Sequence, residues 1–284
     1  MSASTPAIAV FHRTRDGLLA ASLGDTAFLG VRQEDGQLRI AHGSRIDKPR
    51  EQWVPQDFHG FDRLVKDEDG FRSHVETLAE HRRELSALNH AEFRSHAQTP
   101  WGCADFSYRY GEGITRHSTP SHGGFQLDAA RNALVYAAYR NRDGWYEEDC
   151  QWSKVAAAFP SLFTSFERRC ADETLRNFEP DAYERVHGVT LAPGESHVKD
   201  ERRFKRDHAT DWIVISAIRS PCQPGLVECV ATLGGRRDGK QERRFLVPIG
   251  EYEVGRFGFV IDPARHAVTG VLDDLATRGV EPTT

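Results

Sequence analysis

Two short clusters in this 284-residue chain hold the residue types that chemistry needs. The first is Ser121-His122-Gly123-Gly124, a histidine followed by glycines that leave room around its ring. The second, Gly144-Trp145-Tyr146-Glu147-Glu148-Asp149, sets three acids beside two aromatic residues. The spacing of Trp145, Trp152, Val155, Ala156 and Phe159 predicts a helix with an apolar stripe, at about 100° per residue. On that helix Glu148 falls inside the stripe, Asp149 on its flank, and Glu147 on the far side toward Lys154 and solvent. A carboxylate held in an apolar stripe must find a partner or take up a proton. His117, His122, Arg109 and Arg116 lie just upstream, and His122 is the first choice of partner.

Catalysis on this plan gives His122 the role of general base or ligand, with Glu148 as its partner and Asp149 as a second ligand or orienter. Binding on the same plan uses Ser121, His122, Gly123, Gly124, Trp145, Tyr146 and Glu147 as the contact surface. A plainer alternative also fits. The glycines form a hairpin turn, and acids in the first turn of a helix gain about 0.3–1 kcal/mol each from the macrodipole.

Other chemistries find less support. Neither HExxH nor paired Cys/His spacing occurs, and His122, Glu148 and Asp149 are a ligand set easily met by chance, so no metal and no cofactor is expected. No GxSxG elbow, Walker loop or GxGxxG fingerprint is present, which argues against the corresponding hydrolases, NTPases and dinucleotide enzymes. Cys150 beside the acids is a poor nucleophile, because neighbouring carboxylates raise a thiol's pKa. Arg202, Arg203, Lys205 and Arg206 form the best nucleic-acid candidate, though Asp200, Glu201 and Asp207 bracket them.

The elements that must position these residues follow from turn and periodicity signals. Asp16-Gly17, Gly24-Asp25 and Asp35-Gly36 separate four predicted strands, Ala7 to Phe11, Leu18 to Ser22, Ala27 to Arg32 and Gln37 to His42. Residues 47–69 read as a linker, completing an N-terminal β-rich unit over 1–69. Phe71, Val75, Leu78, Leu85 and Leu88 keep helical spacing, so a long helix runs to about Arg94 within a segment 70–98. Residues 99–284 form the motif-bearing domain. Its strands lie between Ala104 and Asp128, its central helices over 129–187, and its C-terminal antiparallel sheet over 210–265. The central helices are Ala129 to Tyr139, Trp145 to Phe159, Ser161 to Asn177 and Pro180 to His187, and residues 190–208 form a charged connector. The fold class is therefore α+β, with antiparallel sheets at both ends and a central helical segment.

Composition sets outer bounds. The net charge of −5 with 28% charged residues suits a water-facing protein and is no global nucleic-acid signature. The five cysteines are scattered and odd in number, as expected of reduced thiols in a cytoplasmic protein. No basic start with a long apolar run and no stretch of membrane-spanning length is seen, so neither a signal peptide nor a membrane association is expected.

Thr99-Pro100-Trp101-Gly102, Ser118-Thr119-Pro120-Ser121-His122-Gly123-Gly124-Phe125, Gly144-Trp145-Tyr146-Glu147-Glu148-Asp149-Cys150 and Ala158-Phe159-Pro160 follow one another over Thr99 to Phe163. In that order they resemble a domain of unknown function found on conjugative plasmids and phages of Proteobacteria, some members of which are labelled antirestriction proteins. The resemblance extends more loosely into the β-rich tail. The first expectation is a cytoplasmic inhibitor that binds a host restriction or CRISPR complex, while the resemblance implies only a mobile-element protein that blunts such defence, by binding or by chemistry. It names no catalytic residue, so a hydrolase or transferase acting through His122 with Glu148 and Asp149, metal-dependent or not, stays open as the alternative.

Overall fold

The computed structural model describes residues 8–238 and 241–268. The chain divides into two compact units, residues 1–189 and 190–284.

The first unit opens with a five-stranded antiparallel meander: β1 (Ala9–Arg13), β2 (Leu19–Leu23), β3 (Thr26–Arg32), β4 (Leu38–Ser44) and β5 (Gly60–Val65), hydrogen-bonded in that order. The first four match the expected hairpins to within two residues or so, because Asp-Gly and Gly-Asp turns are local signals. The fifth lies inside the expected linker. Strand β2, Leu-Ala-Ala-Ser-Leu, is buried at every position. Leu19, Ala21 and Leu23 face Phe71, Val75 and Ala79 of helix α1 (Glu68–Leu88), while Ala20 packs with Trp53 and Phe58 from the segment between β4 and β5.

Helix α1 begins at Asp67, whose side chain accepts the Gly70 N–H. It ends at Asn89, in the left-handed conformation, and not near Arg94. Asparagine tolerates that conformation, which turns the chain out of the helix. The next residues become β6 (Ala91–Arg94).

A second antiparallel sheet carries the motifs. After the short hairpin β7 (Gln98–Thr99) and β8 (Gly102–Cys103) come β9 (Phe106–Gly111), β10 (Ile114–Ser118) and β11 (Gly123–Leu127). Helix α2 (Ala129–Leu134) follows, shorter than predicted, because Val135 adopts extended backbone and Arg140 donates to the Ala133 and Val135 carbonyls. The predicted helix from Trp145 is instead β12 (Trp145–Glu147), a turn, and then α3 (Trp152–Ala158). The sheet order is β12-β11-β10-β9-β6.

One face of this sheet packs against α3, α4 (Ser165–Phe178) and α5 (Pro180–His187), with Ile114, Phe125, Leu127, Tyr146, Val155, Phe163, Ala171, Leu175 and Ala182 in one core. A capping box starts α4, Thr164 and Glu167 satisfying each other's backbone N–H groups. The start of α4 is tied to α1 by His81 on the Thr164 hydroxyl and by Glu84, which accepts from Ser165. Pro180 at the start of α5 and left-handed Gly188 at its end place that helix where the sequence predicts it.

The second unit contains α6 (His197–Asp207) and an antiparallel sheet in the order β13 (Trp212–Arg219), β14 (Leu226–Leu233), β15 (Glu242–Pro248), β16 (Ala267–Val268). Helix α6 lies in the expected charged connector, started by the Ser196 cap. The core of this unit is Val227, Cys229, Ala231, Phe245, Val247 and Ile261. Within the expected sheet over 210–265, residues 249–266 are irregular apart from the isolated bridges Ile213 to Val260 and Gly255 to Gly258, and the part of the expected domain beyond residue 268 lies outside the described residues. The α+β class with antiparallel sheets at both ends and helices between them is the architecture observed.

Candidate functional site

The second motif is organised by β12, and the reason lies in its neighbours. Gly144 sits at φ +75°, where only glycine is unstrained, and an added Cβ would meet the Leu127 carbonyl at 2.6 Å. Its own carbonyl accepts the Leu127 N–H at 2.9 Å. The chain is thereby laid along β11, pairing Gly124 with Glu147, Phe125 with Tyr146 and Gln126 with Trp145. Side chains on a strand alternate every residue, so the three acids are distributed by a period of two and not of 3.6. Tyr146 and Glu148 go to the helix face of the sheet, and Trp145 and Glu147 go to the opposite face, which carries the β7–β8 hairpin.

On the helix face Tyr146 is fully buried. Its hydroxyl donates to Asn132 Oδ1 at 2.6 Å and accepts the Asn141 N–H at 3.1 Å. Glu148 lies beside Gly123, whose carbonyl accepts the Glu148 N–H at 3.0 Å. A Cβ on Gly123 would come within 2.6 Å of Glu148 Oε2 and 2.7 Å of the His117 carbonyl. The cationic partner of Glu148 is Arg116, at 3.5 Å, and not His122. The pair borders a cleft of about 320 Å³, lined also by Tyr110, Phe125, Trp152, Phe163, Phe166, Glu167 and Cys170.

On the hairpin face Trp101 does the packing. Thr99 Oγ1 accepts the Trp101 N–H at 3.1 Å and donates to the Gly102 carbonyl at 2.8 Å, which closes the Thr-Pro-Trp-Gly turn. The Trp101 ring lies edge-on to Trp145 at 5.7 Å and covers Gly124, where a Cβ would meet it at 2.4 Å. The two glycines after His122 thus make room for a carboxylate on one face and an indole on the other.

His117 is buried on the hairpin face. Its Nδ1 is 2.7 Å from the Ser107 hydroxyl and its Nε2 3.2 Å from Gln126 Oε1, a pattern satisfied by a neutral ring donating through Nε2. Burial holds its pKa below the ordinary value, against the opposing Gln126 hydrogen bond.

His122 ends a four-residue turn from Thr119. The Thr119 N–H and hydroxyl both donate to the His122 carbonyl, at 2.9 and 2.6 Å, and the His122 N–H returns to Thr119 Oγ1 at 3.2 Å. Ser121 and His122 are left exposed, while Gly123 and Gly124 are buried. Ligand atoms of His122, Glu147 and Asp149 all lie within 4.8 Å of one another. The Glu147 carboxylate does not reach Lys154, which pairs with Glu179 at 2.8 Å. It accepts the Asp149 N–H at 2.7 Å and the Cys150 N–H at 3.3 Å, closing the turn after β12. Burial, with Glu179 next in effect, pushes the Cys150 thiol up and leaves it unsuited to nucleophilic attack.

The imidazole therefore lies near Glu147 and Asp149, while Glu148 serves the other face. Arg116, Trp101 and His117 complete the arrangement. The sign of this register that the sequence does carry is Trp-Tyr after Gly144, aromatic residues that favour strands, together with a Gly-Gly pair for them to lie against.

Residues 94–209 match a family model described as a domain of unknown function, DUF7007. The match covers less than half of the chain. It runs from the end of β6 to just past α6 and holds both faces of the motif sheet from β9 to β12. No curated protein and no solved structure matches the chain.

In the second unit, the basic run of α6 is largely neutralised within the helix. Arg203 pairs with Asp200 at 2.9 Å, Lys205 with Glu201 at 2.7 Å and Arg206 with Asp207 at 3.1 Å. Arg202 shares the helix with them. Among the described residues no helix is long and apolar enough to cross a membrane.

Proposed function

We propose that this protein acts by binding: a phage- or plasmid-borne inhibitor that blocks a bacterial restriction or CRISPR complex in the host cytoplasm. The contact surface is the Thr119–His122 turn with the end of β12, presenting Ser121, His122, Glu147 and Asp149. One observation carries the preference for binding over catalysis. Glu148, the acid required as the partner of His122, is engaged with Arg116 at 3.5 Å on the helix face, while His122 stands exposed on a turn. The anti-defence assignment itself rests on the resemblance of the four motifs to a domain with antirestriction-labelled members.

Titration against purified restriction or CRISPR complexes tests the reading. Inhibition that saturates at one protein per complex, and weakens in His122→Ala with Asp149→Ala, supports it. Full inhibition at one-tenth of that ratio overturns it in favour of an enzyme. That second reading, a metal-dependent hydrolase or transferase, has one observation in its favour, the convergence of His122, Glu147 and Asp149 within 4.8 Å.

A further inference from the structure

We propose that His122, Glu147 and Asp149 bind one divalent transition-metal ion of the Zn²⁺ or Mn²⁺ type. The three ligand atoms come from two chain segments that the sheet register forces together, the turn before β11 and the end of β12. The segments that carry them are fixed. Three hydrogen bonds to Thr119 hold the His122 backbone, and the Glu147 carboxylate is clamped by two backbone N–H groups. A carboxylate has about four lone-pair positions, so Glu147 keeps capacity for an ion after accepting those two bonds.

Size and charge agree with such an ion. Nitrogen and oxygen ligands sit about 2.0–2.2 Å from Zn²⁺, which places neighbouring ligand atoms roughly 3–4 Å apart. Three atoms already within 4.8 Å need only small side-chain rotations to close on it. Two carboxylates and a neutral imidazole match a 2+ charge. The imidazole selects against Mg²⁺ and Ca²⁺, which take oxygen ligands, and the Irving–Williams order puts Zn²⁺ above Mn²⁺. Three protein ligands at an exposed turn leave the remaining positions to water or to a group on a partner. The site stands or falls independently of the inhibitor reading, because its test needs no target complex.

The test uses the full chain, with Mn²⁺ binding followed by electron paramagnetic resonance and Zn²⁺ by calorimetry after alkylation of the exposed Cys103 and Cys222. One ion per chain is expected, with Zn²⁺ tighter than Mn²⁺ and Mg²⁺ weakest. Loss of a group that merely supports a ligand costs about 10–100-fold in metal affinity, so His122→Ala, Asp149→Asn and Glu147→Gln should each weaken binding by at least roughly tenfold. Glu112→Gln, an exposed acid in the β9–β10 turn, should leave it unchanged. Circular dichroism of His122→Ala and Asp149→Asn reports that the fold is retained, as their exposed side chains predict. Absence of Mn²⁺ and Zn²⁺ binding at millimolar metal, or binding that survives both His122→Ala and Asp149→Asn, overturns the proposal and leaves a plain cluster of surface polar groups.

Discussion

On the helix face of the motif sheet, Glu148 meets Arg116 at 3.5 Å beside buried aromatic rings. On the hairpin face, one residue earlier, half-buried Glu147 lies within 4.8 Å of ligand atoms of the exposed His122 and Asp149. The two acids differ by a single step along the backbone and not in chemistry. The pleat alone separates them, sending one toward a neutralising guanidinium and the other toward an imidazole and a second carboxylate. The faces differ in what they can do. The helix face builds the core that holds the strands in register, and the hairpin face presents polar groups on that rigid frame. A glycine serves each face at the same place in β11, Gly123 for Glu148 and Gly124 for Trp101.

The sharpest way to break this pairing is to fill the glycines. In Gly124→Ala the new methyl would lie 2.3 Å from the Tyr146 carbonyl and 2.4 Å from the Trp101 ring, so backbone must shift. A loss of about 2–4 kcal/mol in urea unfolding is expected, in the range of overpacking and backbone strain. Gly123→Ala should cost less, because one of its two closest neighbours is the movable end of Glu148. A stability loss no larger than that of an exposed-site control would contradict the close packing of the two faces.

Tyr146→Phe removes only the hydroxyl on the helix face. It strands Asn132 Oδ1 and the Asn141 N–H, and a buried group left unpaired costs about 1–3 kcal/mol. Urea unfolding should register this with an unchanged slope.

Acid acts on histidines whose ring nitrogens are withdrawn from water, in buried His117 and half-buried His90 and His12. His117 on the hairpin face, His90 against Tyr110 and His12 against Trp53 all have pKa values lowered chiefly by burial. The unfolded chain, with histidines near 6.5, then binds more protons than the folded one. Their contribution is fully present above that value and is lost as pH falls below it toward the depressed folded values. The urea midpoint should therefore drop between about pH 7.5 and 5.5, above the range in which carboxylates titrate. A flat midpoint across that interval would show the rings are not buried neutral.

The smallest effects belong to the acids and the imidazole at the turn. Glu148→Gln loosens a partly exposed pair and should cost about 1 kcal/mol or less. His122→Ala changes an exposed side chain and should stay within about 0.5 kcal/mol. A large loss in His122→Ala would make that histidine a structural element of the turn.

Much of the fold is legible in local signals. The Asp-Gly turns mark the first four strands, and Pro180 with Gly188 bounds α5, because each acts within a few residues of itself. The segment after Gly144 carries a misleading period. Three residues of Trp-Tyr-Glu fit the start of a helix as well as a strand, and nothing within that window decides between them. What decides is β11, some twenty residues upstream, whose free edge takes up β12. Strand β5 and helix α6 are hidden in the sequence for a related reason. Their polar residues resemble linkers until a neighbouring strand or the Ser196 cap supplies the missing hydrogen bonds.

The amino-acid order by itself determined which residues had chemical potential, the hairpin-rich character of both ends and the helix bounded by Pro180 and Gly188. These depend on dihedral preferences and contacts a few positions apart. Tertiary structure alone decided that Glu147 and not Glu148 stands with His122, since a strand's facing is set by its hydrogen-bonded neighbour. One step of register exchanges the two faces, and no property of either glutamate records which face it will occupy.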